Sequence, residues 1–142
     1  MKKILLLIVS LLLLVGCGKE ETTKELVCVI NNKDQTVTTQ QVIATFNEEK
    51  LENLEMTVST KIPDENMASL YTKSLQESAE KSYEGTDSVS VNTKVEGEIV
   101  SLITNINYKT FSENDEKVIS IAKESTFDDL KTRFEKMGYV CE

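Results

Sequence analysis

Apolar and polar residues alternate most strictly over Leu54–Ile62. Leu54, Met56, Val58, Thr60 and Ile62 fall on one side and Glu55, Thr57, Ser59 and Lys61 on the other. A period of two marks a strand with one buried face. Leu26, Cys28 and Ile30 repeat the pattern within Glu25–Ile30, as do Val42, Ala44 and Phe46 at the end of a Val-, Ile- and Thr-rich run from Thr36. The polar stretches Asn31–Gln35 and Asn47–Lys50 supply turn chemistry between these runs. Such short connections predict an antiparallel meander. Further on, Val89, Val91, Thr93 and Val95 precede Glu96-Gly97, and Val100, Leu102, Thr104, Ile106 and Tyr108 follow within Glu98–Lys109, a strong hairpin signal.

Between meander and hairpin the period changes. Pro63 stops the third strand and Asp64 is a good N-cap. Met67, Leu70, Tyr71, Ser74, Leu75, Ser78 and Ala79 then recur at helical spacing, which predicts an inward face. Lys73, Glu77, Glu80 and Lys81 take the opposite side, and Gly85 is a natural stop. Near the carboxyl terminus, Ser112–Asp115 has the form of a capping box, followed by Val118, Ile121 and Ala122, and predicts a short helix. Ser125 or Thr126 caps another, with Phe127, Leu130, Phe134 and Met137 inward and Gly138 at its end. Tyr139-Val140-Cys141 finishes extended. The expectation is one α+β domain over residues 25–142: a mostly antiparallel sheet of about five strands, the long helix on one face, terminal helices beside it, and the other face open to solvent or a partner.

The amino terminus follows a different logic. Lys2 and Lys3 precede an apolar run from Ile4 to Val15, broken by Ser10 alone. A charged start, a short apolar core and a small residue before a cleavage point define a secretory signal. A run of twelve residues falls short of the roughly 20 that a spanning helix needs. Leu14-Val15-Gly16-Cys17 resembles the bacterial lipobox. That resemblance implies diacylglycerol on the Cys17 sulfur, cleavage before Cys17 and a mature chain starting there. Residues 1–16 are then a signal peptide and 17–24 a polar tether, leaving the domain lipid-anchored on the extracytoplasmic side of the cell membrane.

Loss of residues 1–16 removes Lys2 and Lys3 and leaves 14 basic against 24 acidic residues, a net charge of −10. Such a surface is repelled by nucleic-acid phosphates, so nucleic-acid binding is rejected. There is no histidine and no tryptophan. The commonest general base and metal ligand is therefore missing, as is the best stacking platform. Carboxylates, Lys and Tyr remain available for chemistry, so an enzyme is disfavoured rather than excluded. Besides Cys17, the mature chain keeps Cys28 and Cys141. Outside the cytoplasm an even pair reads as a disulfide, here closing a loop of about 113 residues. Two buried thiols or a redox pair are the alternatives, although no CxxC spacing exists to lower a thiol pKa.

Other motifs carry little. Ser78-Ala79-Glu80-Lys81 matches the S-x-x-K of penicillin-recognising enzymes, but its partner motifs are missing and helical spacing sends Ser78 and Lys81 to different sides. Glu113, Asp115 and Glu116 lack the glycine turn and alternating oxygen ligands of a calcium loop. No phosphate-cradling glycine loop occurs. No catalytic, metal or cofactor site is expected.

The layout as a whole resembles the YehR-like group of small bacterial lipoproteins. The shared features are the lipobox, a tether, an early Cys in the first strand, strands ending at Ile62-Pro63, a helix around Tyr71, a hairpin, and a close in Met137-Gly138-Tyr139-Val140-Cys141. The resemblance implies a location and an approximate fold, and no activity. Two functions are therefore expected in turn. One is a non-catalytic module that binds a protein, a peptide or a small ligand, or assists envelope assembly. The other is a carboxylate-based cell-envelope hydrolase of glycosidase type, which needs two carboxyl groups about 5–9.5 Å apart in a cleft.

Overall fold

The alternating segments do form strands, and they assemble into one sheet. A computed structural model of the chain describes residues 22–32 and 37–142. The expected signal, Cys17 and most of the expected tether lie outside the described residues, as does most of the first turn. The elements run β1 (Thr23–Asn31), β2 (Val37–Asn47), β3 (Lys50–Lys61), α1 (Glu65–Ser82), β4 (Val89–Glu96), β5 (Ile99–Asn107), α2 (Glu113–Glu116), α3 (Phe127–Lys136) and β6 (Val140–Cys141). Strand order is β4-β5-β3-β2-β1-β6, and every neighbouring pair is antiparallel.

Among the described residues the sheet has six strands, which corrects the expected five. The added strand is Val140–Cys141, too short to show any period. It is created by pairing: Cys28 lies opposite Cys141, and Val27 exchanges both backbone hydrogen bonds with Glu142, at 3.1 and 2.9 Å. The first strand also begins earlier than expected. Thr23 and Lys24, assigned to the tether by their polarity, pair with Asn47 and Phe46.

Register aligns Leu26, Ala44, Leu54, Ile106 and Val89 in one row across five strands. Both longer helices cover that face. Leu130 and Phe134 of α3 join the core with Leu26, Cys28 and Phe46, while α1 lies over β4 and β5. Complete burial of each Leu or Phe is worth about 1.5–3 kcal/mol. Tyr108 closes the core, stacked on Phe111 at 4.8 Å with its hydroxyl donating to the Ile121 carbonyl at 3.0 Å. The opposite face is open. Val140, Val29, Gln41, Thr57 and Ile103 form a row across it, and none is fully buried.

Helix α1 is capped as expected, Asp64 accepting from the Met67 N–H at 2.9 Å. Its inward face agrees with the expectation at Ala79 and Leu75 and departs from it elsewhere. Ala68 and Ala79 are the buried residues, with Thr72, Leu75 and Gln76 partly covered, whereas Met67 and Leu70 are 63% and 74% exposed. Two alanines on one stripe let the helix axis approach the strands closely, and the bulkier stripe beside them turns outward. Val118 and Met137 are likewise exposed, because α2 stops at Glu116 and Met137 sits at the C-cap of α3. Ile121 is buried as its place in the pattern suggests, and Ile119 takes the other buried place.

The β2–β3 turn carries strain. Glu48 and Glu49 have φ of 47° and 70°, the left-handed region that a tight two-residue hairpin requires. Non-glycine residues there cost about 1 kcal/mol or more each. Replacing Glu48-Glu49 by Asn-Gly is expected to raise stability by about 1–2 kcal/mol. Urea unfolding checks this, and an unchanged or lower midpoint would refute it.

Candidate functional site

The sequence-predicted cysteines do not converge on a cleft. Cys28 and Cys141 are joined by a disulfide, S–S 2.04 Å, at the β6 edge of the sheet. The opposite edge is β4, and it holds the candidate site.

Among the described residues, strand β4 pairs with β5 on one side only. Helix α1 overhangs its free side, and between them runs a groove of about 580 Å³. Thr93 and Val95 of β4 form one wall, and Glu65, Lys73, Gln76 and Glu77 of α1 belong to the other. Gln76 fixes the geometry. Its Nε2 donates to the Val91 carbonyl at 3.0 Å and to Glu80 Oε1 at 2.6 Å. The Val91 carbonyl therefore points out of the sheet edge. By the two-residue period of a strand, the backbone N–H and C=O of Thr93 and Val95 point the same way. Gln76 Oε1 is buried without a hydrogen-bond partner among the described residues. Val95 is 46% exposed. Lys73 approaches Glu77 at 4.0 Å, whereas Glu65 has no ion pair among the described residues.

Depressions of similar size, about 540 and 520 Å³, lie elsewhere. One is on the β1–β6 edge beside Val29, Gly138 and Val140, and one is beside Lys24, Phe127 and Asp128. The groove's carboxylates are poorly placed for paired chemistry. Glu65 and Glu77 are twelve residues apart on one helix, about 18 Å at 1.5 Å rise per residue.

Carboxyl groups with shifted pKa values serve the scaffold. Lys109, 3.0 Å from Glu52, holds that carboxyl below its usual range, helped by Asn47 and opposed by desolvation. Asp129 is lowered by the Thr126 hydroxyl and backbone N–H in the cap of α3. At Asp115, burial raises the pKa, but the Ser112 backbone N–H and hydroxyl outweigh it, and the net shift is downward. Ser88 faces the same carboxylate and also favours its charge. Hydrogen-bond geometry is not met on that side, so Asp115 Oδ1 and Ser88 Oγ have no partner among the described residues. Burial pushes the Tyr108 and Tyr139 hydroxyls up.

This topology has solved counterparts. A Streptococcus pneumoniae TIGR4 protein studied by NMR superposes with a TM-score of 0.63 at 12% identity, over 91% of this chain and 90% of its own. The Escherichia coli YehR protein, also an NMR structure, gives 0.55 at 13% identity, over 87% of this chain and 92% of its own. The fold is shared with YehR. At these identities the likeness covers architecture, and it agrees with the resemblance drawn from the sequence at that level. No family model and no curated protein matches the chain.

The groove was not legible in the sequence. Alternation over Val89–Val95 announced a strand, but nothing local says that β5 turns its other side to β3 and leaves β4 at the edge. Gln76 sat among polar helix residues with no mark of its contact to Val91.

Proposed function

We propose that the chain is a non-catalytic binding module, anchored by lipid on Cys17 to the outer side of the cell membrane. The observation that carries this is the run of Lys2-Lys3, an apolar segment and Leu14-Val15-Gly16-Cys17. The Cys28–Cys141 disulfide supports it, because such bonds persist in oxidising compartments. No helix among the described residues is long and apolar enough to cross a membrane. Two acyl chains suffice to hold a protein stably on a bilayer.

Thr23 is six residues beyond Cys17, a reach of at most about 20 Å. On this reading the sheet end with Thr23 and the Glu48–Glu49 turn faces the membrane. The β4–β5 hairpin and the amino-terminal half of α1 then point away from it. Against a hydrolase stand the wide separation of Glu65 and Glu77 and the downward direction of every carboxyl shift described above. A general acid needs the opposite shift.

Labelling cells with a fatty-acid analogue tests the anchor. The wild-type chain should take up label and Cys17→Ser should take up none, with the variant uncleaved or released. Equal labelling of the two would refute anchoring at Cys17. Release of soluble fragments from cell-wall glycan by the purified chain would refute the non-catalytic reading.

A further inference from the structure

We propose that the β4 edge is a docking site for an extended, basic polypeptide segment of a partner protein, which pairs with Thr93 and Val95 as an added strand beneath α1. The inference rests on the reading of the chain as a binding module and names the chemistry of its partner.

The first argument is backbone chemistry. An edge strand presents donors and acceptors in a row, and the group that matches their spacing is another extended backbone. Sheets ordinarily blunt such edges. Here the blunting is partial: Gln76 caps the Val91 carbonyl, and beyond it Thr93 and Val95 remain open to the groove. The free stretch therefore runs from Gln76 to the hairpin at Gly97. The other edge of the sheet, β6, is two residues long and is tied by the disulfide.

A second argument comes from the walls. Gln76 Oε1 lacks a donor among the described residues, and a backbone N–H at the end of an incoming strand supplies one once the side chain adjusts. Val95, 46% exposed, gives an apolar contact on the α1 side of the strand. The groove holds two carboxylates against one ammonium, and that ammonium is already beside Glu77. Glu65 is left to attract a cation, within a mature chain of net charge −10. Position agrees as well, since the groove opens at the sheet end remote from Thr23.

The test uses the full chain in detergent and a capped hexapeptide alternating lysine and valine. Two further versions carry N-methyl groups, one on all three valines and one on all three lysines. In an added strand only alternate residues turn their N–H toward β4. One methylated version should therefore bind like the parent in calorimetry, and the other at least tenfold more weakly. Hydrogen–deuterium exchange at the Thr93 and Val95 amides should slow at least tenfold with the parent peptide. Val95→Pro removes an outward N–H without touching the ladder to β5, and should weaken binding at least tenfold. If that variant misfolds, the methylated pair still decides. Equal binding of both methylated versions, protection at Val29 and Ile103 on the open face instead, or no binding at millimolar peptide would overturn the proposal. So would a dimer that Val95→Pro dissociates, which would give the edge to a second copy. None of these outcomes affects labelling at Cys17 or the glycan assay, so failure here is distinguishable from failure of the module reading.

Discussion

Reduction of the Cys28–Cys141 disulfide is expected to lower the stability of the domain by up to about 4–5 kcal/mol, the value that the chain-entropy treatment gives for a loop of this length. The bond joins residues 113 apart, nearly the whole described domain, so its main effect is on the unfolded chain. Local structure depends on it too. Cys28 and Cys141 face each other beside the Val27–Glu142 hydrogen-bonded pair, and β6 has no other partner strand among the described residues. With the tail held, Tyr139 packs edge-on against Phe134 at 5.4 Å and donates to Gln40 Oε1 at 2.9 Å. Those contacts fix α3 on the sheet. Denaturant unfolding with and without reductant measures the loss, and the Cys28→Ser/Cys141→Ser double variant should reproduce it. An unchanged midpoint in both would show that the bond contributes nothing to stability.

The residues that made this domain readable are those whose environment is set locally. Leu54, Met56 and Val58 alternate because one face of β3 is covered, and Asp64 caps α1 through a bond three residues away. Thr126 does the same for α3. Elements whose existence depends on distant partners were harder to see. Val140–Cys141 is a strand because β1 is next to it, and Thr23-Lys24 because Asn47 and Phe46 are. Helix α1 shows how pattern can mislead: Met67, Leu70 and Tyr71 outweigh two alanines in any hydrophobic count, yet Ala68 and Ala79 are the residues small enough to meet the sheet. The candidate site is the extreme case. An edge strand is defined by the strand that is absent, and β4 became one through the pairing of β5 with β3, some forty residues from it in sequence.

Asp115→Ala is expected to cost about 3 kcal/mol at neutral pH, and Asp115→Asn about 2 kcal/mol, because hydrogen bonds to a buried charge are worth more than neutral ones. Asp115 is fully buried, and one of its oxygens accepts from the Ser112 N–H at 2.7 Å and the Ser112 hydroxyl at 2.8 Å. Its own carbonyl accepts from the N–H groups of Val118 and Ile119, which leads the chain to the buried Ile119 and Ile121. Removing the carboxylate releases α2 and leaves the Ser112 donors unmatched. The pH dependence follows from the direction of the shift. Since the folded pKa lies below the ordinary value of 3.8, the ionised group stabilises the fold at any pH above that value. This contribution falls away as pH drops through the folded pKa, where the carboxyl is protonated in both states. Glu52 and Asp129 shift the same way but are more exposed, so acid unfolding of the wild type alone does not isolate Asp115. The comparison with Asp115→Asn does. Urea midpoints of the two proteins should differ at pH 7 and draw together below pH 3.8. A gap that stays constant into acid would mean that Asp115 acts through its shape and not its charge.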